Sequence, residues 1–311
     1  MPFEFRPAKR ENVGLLIGLA GGTGSGKTYT AMRLASGIAG DRPFAVIDTE
    51  AGRAKHYADY FRFDHGDLTA PFGPGRYLEA IETADHAGYP AIVVDSMSHE
   101  HAGEGGMLDW HDDELERLTK GEASKREAMN FVAWIAPKKG HKQMVQELLQ
   151  VRAHLILCFR AEPKIEIVKE NNRTVVREKQ GLNVGPGGWT AVTDKNLMFE
   201  LTASFLFMAE RPGVPIAIKL QEQHRALFPT DQVVTETTGA AVAQWARGGE
   251  VNWVLLIEQV KTREELAAVG RDLQRVKPLM SVAAREIAIT AYNHRLSELS
   301  PPQQPKEATK L

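Results

Sequence analysis

At 311 residues, 43% hydrophobic and 25% charged, the chain has the make-up of a globular protein able to bury one large core plus a small appendage. A formal net charge of −2 and an isoelectric point near 6.6 exclude whole-molecule attraction to nucleic acid or an anionic membrane, so such binding would need a local basic surface. No apolar run approaches the roughly 18 residues of a membrane span, and Met1 to Arg6 carries no signal-peptide pattern. The single cysteine, Cys158, excludes a disulfide within the chain; lying in the apolar run 153–159, it reads as a core residue, and a reducing, cytosolic setting is expected.

Val13 to Ala20 is apolar, as in a strand covered on both faces of a parallel sheet. It runs into Gly21-Gly22-Thr23-Gly24-Ser25-Gly26-Lys27-Thr28, which satisfies the pattern G-x-x-x-x-G-K-[ST], and these residues with Tyr29 are the candidate nucleotide-binding set. Glycines there let main-chain N–H groups converge on phosphate oxygens, and the N-terminus of the following helix adds partial positive charge. In such a P-loop Lys27 reaches the β- and γ-phosphates of a nucleoside triphosphate and Thr28 holds Mg²⁺. Behind it Ala31, Leu34, Ala35 and Ile38 share one helical face, which Gly40 ends.

Phe44 to Asp48 is the next strand, with Glu50 just beyond its tip, where a carboxylate can polarise a water attacking the γ-phosphate; the alternatives are that Glu50 only forms an ion pair behind the site or that Asp48 takes the role. Ala91 to Asp95 is another strand, four apolar residues and then an acid, which places Asp95 to orient Mg²⁺ with Thr28. Residues 98–150 read as a polar, mostly helical insertion with an acidic run at 109–116. His99 and His101 lack the second ligand pair of a zinc site and read as polar surface. The apolar run 153–159 is the fourth strand, and Arg160 at its end is a candidate sensor of the γ-phosphate.

Residues 164–177 read as a projecting hairpin turning at Asn171-Asn172, and 181–189 as a mobile glycine-rich loop bearing one exposed aromatic, Trp189. All or part of 196–208 is the fifth strand, and Ile216 to Leu220 with Arg225 to Phe228 form an extended pair closing a first domain, 1–235. Further on, Thr262 and Glu265 form a capping box before the stripe Leu266, Val269, Leu273 and Val276, which Pro278 ends. Ser281 caps a second helix with Val282, Ile289, Tyr292 and Leu296 on one face, so 250–298 reads as a small helical hairpin module. The Pro/Gln/Lys-rich tail, 299–311, is expected to be disordered.

The ordered set of P-loop, Val46-Ile47-Asp48-Thr49-Glu50, Ile92-Val93-Val94-Asp95-Ser96, the strand ending at Arg160, the glycine-rich loop and Asp194-Lys195-Asn196-Leu197 resembles the RecA-like P-loop ATPases. The likeness is greatest to the phage members that accompany single-strand annealing and recombination, and covers about residues 10 to 230. It implies an α/β fold with a largely parallel sheet and an ATP- and Mg²⁺-dependent hydrolase that forms homo-oligomers. Its implied partners are single-stranded DNA and phage recombination or replication proteins. Glu50 would be the catalytic base, with Lys27 and Arg160 at the phosphates. Residues 181–195 become the DNA loop, with Lys179, Trp189 and Lys195 as candidate contacts. Lys219 or Arg225 would be donated to a neighbouring subunit's ATP. RecA itself carries a polar amide where Arg160 stands, and the acidic insertion has no counterpart there.

Other readings remain. Glu162, Glu166, Glu170 and Glu178 interleave with the hairpin's basic residues, as on a merely solvated hairpin rather than a phosphate-binding one. A small-molecule kinase would need an arginine-rich lid, for which the insertion offers Arg117 and Arg126. A nucleotide-dependent switch or assembly protein would use the C-terminal helices for docking.

Overall fold

The computed structural model describes residues 5, 13–170, 173–229, 231–248, 253–277, 280 and 282–299. Strand β1 (Leu16–Gly21) sends Ile17 and Leu19 into one core and Leu16 and Ala20 into another. A strand apolar on both faces needs cover on both, and the chain supplies it with helices. In order follow α1 (Lys27–Ala39), β2 (Phe44–Asp48), β3 (Phe63–Asp67), α2 (Pro74–His86) and β4 (Ala91–Asp95). The insertion is α3 (Ser98–Ala102), α4 (Met107–Thr119), α5 (Arg126–Ala133) and α6 (Ile135–Leu148). Then come β5 (His154–Pro163), β6 (Ile165–Glu170), β7 (Arg173–Glu178), β8 (Trp189–Ala191), α7 (Lys195–Glu200), β9 (Ala203–Phe207) and β10 (Ile216–Leu220). The chain closes with α8 (Glu236–Ala246), α9 (Trp253–Glu258), α10 (Arg263–Val276) and α11 (Val282–Glu298).

The architecture is α/β, with the main sheet in the order β10-β9-β1-β5-β4-β2-β3. Every neighbouring pair from β9 to β3 is parallel; β10 is antiparallel at one edge, and β8 pairs antiparallel with the overhanging end of β5. One core lies between the sheet and α1 with α8, the other between the sheet and α2 with α6. Helices α1 and α8 cross closely enough to require glycine on both. A Cβ on Gly37 would fall 1.8 Å from Glu236 O, and one on Gly239 2.2 Å from Leu34 O. Arg33 clamps the crossing with two hydrogen-bonding nitrogens on the Glu236 carboxylate, the closest at 2.8 Å. Trp253, Ile257, Leu266, Val269 and Leu273 bury a separate small core among the C-terminal helices, where Thr262 and Glu265 form the expected capping box. Among the described residues no helix is long and apolar enough to cross a membrane.

Some stretches fold differently from their sequence pattern. Residues 195–200 are helical because the Asp194 carboxylate accepts from the Asn196 amide at 2.9 Å and caps α7, which confines the strand to 203–207. Arg225 to Phe228 is not a strand: a 3-10 turn at 222–224 buries His224 against the Trp245 ring, and β10 pairs with β9 instead. Val282 is exposed, off the face on which Tyr292 and Leu296 pack. The glycine-rich loop is tied down by main-chain bonds from Gly185 N to Trp189 O and from Lys164 N to Gly188 O. Strands β6 and β7 form the expected hairpin with Glu170 opposite Arg173. Its turn at 171–172, together with Pro278, Ser281 and 300–311, lies outside the described residues.

Candidate active site at the carboxyl edge of the sheet

Register brings the sequence-predicted residues to one level. Gly21 of β1 stands opposite Arg160 of β5, Asp95 of β4 opposite Cys158 of β5, and Asp48 of β2 opposite Asp95. With neighbouring strands about 4.8 Å apart, β1, which leads into the glycine loop, and the Asp95 strand are separated by one strand, β5. In open α/β sheets this carboxyl edge is where ligands bind.

The loop between β1 and α1 is shaped by its glycines. Gly24 and Gly26 have φ of 76° and 81°, and a Cβ on Gly26 would come 3.0 Å from Gly213 N. The Ser25 hydroxyl and the Lys27 ammonium both donate to Gly22 O, at 2.8 and 3.0 Å. The Thr28 hydroxyl donates to Asp95 Oδ2 at 2.6 Å. Burial holds the Asp95 carboxyl above its ordinary range; the Thr28 bond works the other way, and nearby Glu50 reinforces the rise. A buried carboxylate beside a threonine hydroxyl is a hard-oxygen pair suited to Mg²⁺, which commonly takes one or two protein oxygens and completes its shell with phosphate and water.

Asp48 is committed to structure. Its two oxygens accept from Glu50 N at 2.6 Å and Ala54 N at 2.8 Å, which holds the turn after β2. Glu50 is thereby left as the half-buried carboxylate facing the site. It accepts from Arg160 at 2.9 Å and from Arg53 at 2.8 Å. Burial alone would raise its carboxyl, but the two arginines outweigh it and keep Glu50 below the usual carboxylate range. Arg160 is anchored at its main chain, where its N–H donates to Ser98 Oγ at 2.9 Å.

Two contributors were not expected from the sequence, His99 and the Glu100–His141 pair, and Tyr29, which was, has further aromatic partners. His99, read as polar surface, has Nδ1 2.7 Å from Thr49 Oγ1 and stacks on Phe72 at 5.0 Å between centroids. Burial, then Arg160, pushes its pKa down. Tyr29 directly follows Thr28 and lies against Tyr57 and Phe61, with centroids at 5.8 and 5.4 Å, making an aromatic edge beside the glycine loop. Farther back, Glu100 and His141 form a fully buried pair at 2.9 Å, with Asp194 Oδ1 3.8 Å from the other ring nitrogen. Burial opposes the His141 charge, but the Glu100 bond and the two carboxylates outweigh it and raise its pKa. Tyr29 was already grouped with the glycine-loop residues from sequence; the contacts of His99 and His141 are tertiary and left no signal there.

The other candidates scatter. Trp189 is half-buried rather than exposed: its Cη2 lies 3.0 Å from where a Cβ on Gly22 would be, so the indole rests on the loop between β1 and α1. Lys195 is exposed at the start of α7 and Lys179 is half-buried just after β7. Lys219 donates to Phe199 O at 2.6 Å, and Arg225 pairs with Glu222 at 2.6 Å. No model of a known protein family matches this sequence, and no protein of curated function matches it.

Proposed function

We propose that the protein is a Mg²⁺-dependent ATPase of the RecA-like kind that acts on single-stranded DNA in phage recombination or replication. The observation that carries the nucleotide reading is the Thr28–Asp95 contact of 2.6 Å behind a glycine-shaped loop, with Glu50 and Arg160 paired at the neighbouring strand ends. Main-chain amides of 22–27 and the Lys27 ammonium would grip the β- and γ-phosphates. Thr28 and Asp95 would hold Mg²⁺, which would neutralise charge on the β- and γ-phosphates. Tyr29, Tyr57 and Phe61 offer a face for the base.

Arg160 is the natural responder to a γ-phosphate, since a phosphate anion competes with Glu50 for its guanidinium. As Arg160 turns, Glu50 loses one of the two cations that hold it acidic, and it becomes a better acceptor for the proton of an attacking water. The Trp189 contact with Gly22 joins the glycine-rich loop, the proposed DNA loop, directly to the phosphate loop. Lys179 and Lys195 flank that loop and would meet DNA phosphates, and Lys219 or Arg225 would serve a neighbouring subunit in a homo-oligomer. A kinase reading would need an arginine-rich lid, and the insertion brings only Arg117 and Arg126 to that task.

Nucleotide binding and phosphate release by wild type, Lys27→Ala and Glu50→Gln, with and without single-stranded DNA, form the test. The expected result is lost binding in Lys27→Ala, and retained binding with turnover slowed roughly 10²- to 10⁴-fold in Glu50→Gln. Normal turnover by Glu50→Gln would remove the base from Glu50. An absence of DNA stimulation and of salt-dependent DNA binding would remove the DNA assignment alone.

A further inference from the structure

The corner where α5 meets α6 joins an uncovered aromatic ring to a run of lysines. Phe131 and Ile135, one helical turn apart, are 84% and 65% exposed. Beyond them α6 presents Lys138, Lys139 and Lys142 to solvent, again at helical spacing. The Lys138 ammonium lies 5.6 Å from the centre of the half-buried Trp134 ring, so cations and aromatic faces interleave along this surface.

The surface is basic once its neighbours are counted. Residues 126–142 hold four Lys or Arg against one acid, Glu127, which lies one turn before Phe131, at the end away from the lysines. On α4, packed beside α5, Asp109, Asp112, Glu114 and Glu116 are engaged with Gly105 N, His111, Arg117 and Arg126, which leaves Asp113. Among the described residues no carboxylate pairs with Lys138, Lys139 or Lys142. Three cations without an anion of their own, next to a bare ring, suit a polyanion that also carries flat apolar groups.

Single-stranded nucleic acid has both, phosphates for the lysines and unpaired bases whose faces stack on aromatic side chains. A duplex keeps its bases stacked on one another and leaves Phe131 uncovered. An anionic bilayer needs a continuous apolar face, whereas past Ile135 the exposed side chains of α6 as far as Gln146 are lysine and glutamine. The lysine run also adjoins a residue already assigned to DNA. Helix α6 packs on α7, with His141 Nε2 3.8 Å from Asp194 Oδ1, and Lys195 is the next residue in the chain.

We propose that the α5–α6 corner is a second contact for single-stranded DNA, in which Phe131 stacks on an unpaired base and Lys138, Lys139 and Lys142 meet the adjoining phosphates. The inference rests on the DNA reading above and extends the track from the glycine-rich loop, past Lys195, onto the insertion.

The experiment is fluorescence anisotropy of a labelled oligothymidylate titrated with wild type, Phe131→Leu, Phe131→Tyr and a triple variant, Lys138→Gln with Lys139→Gln and Lys142→Gln, over a series of salt concentrations, with and without Mg²⁺-ATP. All four positions are exposed, so folding is expected to be preserved, and circular dichroism melting checks it. Phe131→Leu should bind about tenfold more weakly, the effect of losing one stacked base, and Phe131→Tyr should bind like wild type. The triple variant should show a slope of log affinity against log salt shallower by about 2, at about 0.7 for each lost phosphate contact. Wild-type affinity in Phe131→Leu, or a wild-type slope in the triple variant, would overturn the proposal and leave the DNA reading standing. A wild type that binds no oligonucleotide under either condition would remove both. A triple variant that keeps wild-type oligonucleotide binding but loses binding to phosphatidylserine vesicles or to polyglutamate would assign the corner to a membrane or to an acidic protein instead.

Discussion

His154 begins β5 at the sheet's amino edge, where its Nδ1 accepts from Leu15 N at 3.2 Å. An acceptor nitrogen carries no proton, so the native state requires the neutral ring. Burial, with a smaller contribution from the Arg247 charge, pushes its pKa from 6.5 down to about 4. Between those values the unfolded chain binds a proton that the native chain excludes, so stability is full above pH 6.5 and falls as pH drops towards 4. At 1.36 kcal/mol per pK unit the full loss is about 3 kcal/mol, of which about 2 kcal/mol is reached by pH 5. His154→Asn keeps an acceptor near the Nδ1 position and has no proton to gain. Urea unfolding of both proteins at pH 7 and pH 5 should therefore show wild type losing about 2 kcal/mol more than the variant. His99, His101 and His224, each also pushed down chiefly by burial, act in both proteins and cancel in the difference. Equal losses in the two proteins would refute the reasoning, because His154 would then not be the group that titrates.

Gly37→Ala should destabilise the fold by about 3 kcal/mol, since its Cβ would fall 1.8 Å from main-chain Glu236 O; thermal unfolding checks it. Gly75→Ala in α2, where a Cβ meets nothing within 4 Å, is the control and should be neutral or stabilising by up to about 1 kcal/mol. Because the indole of Trp189 rests on Gly22, Mg²⁺-ATP should change tryptophan emission in wild type and not in Trp189→Phe. An unchanged response in the variant would assign the signal to another of the five tryptophans.

The parts of the fold legible in the sequence were those where one local rule dominates. The strands at 44–48 and 91–95 are continuous apolar runs ending in an acid, and the P-loop is a spacing of glycines and a lysine. The capping box at Thr262 is likewise a local signal. Strand β3 escaped because Phe63-Asp64-His65-Gly66-Asp67 is an edge strand, largely polar, and carries neither an apolar run nor a clean alternation. Helix α7 escaped because Leu197 and Met198 prolong the apolar pattern of the following strand, and only the Asp194 cap divides them. The role of Asp48 escaped for a different reason. A carboxylate at a strand tip looks the same in sequence whether it faces the site or accepts main-chain amides, and the turn to Ala54 decides which.

That last distinction bears on how the proposed chemistry would start. Each polar group at the carboxyl edge has a partner within the chain: Lys27 has Gly22 O, Thr28 has Asp95, and Arg160 has Glu50. Binding a triphosphate there is therefore an exchange of partners, in which the net gain is what phosphate offers beyond a carbonyl or a carboxylate. For Lys27 the gain is large, because a neutral carbonyl is replaced by an anion. For Arg160 it is smaller, since a carboxylate is already an anion, and on the proposed reading only a γ-phosphate of higher charge density draws the guanidinium away. A diphosphate, which lacks that group, would leave Glu50 paired with Arg160. The same ion pair that keeps Glu50 ionised would thus make its release depend on the phosphate to be cleaved.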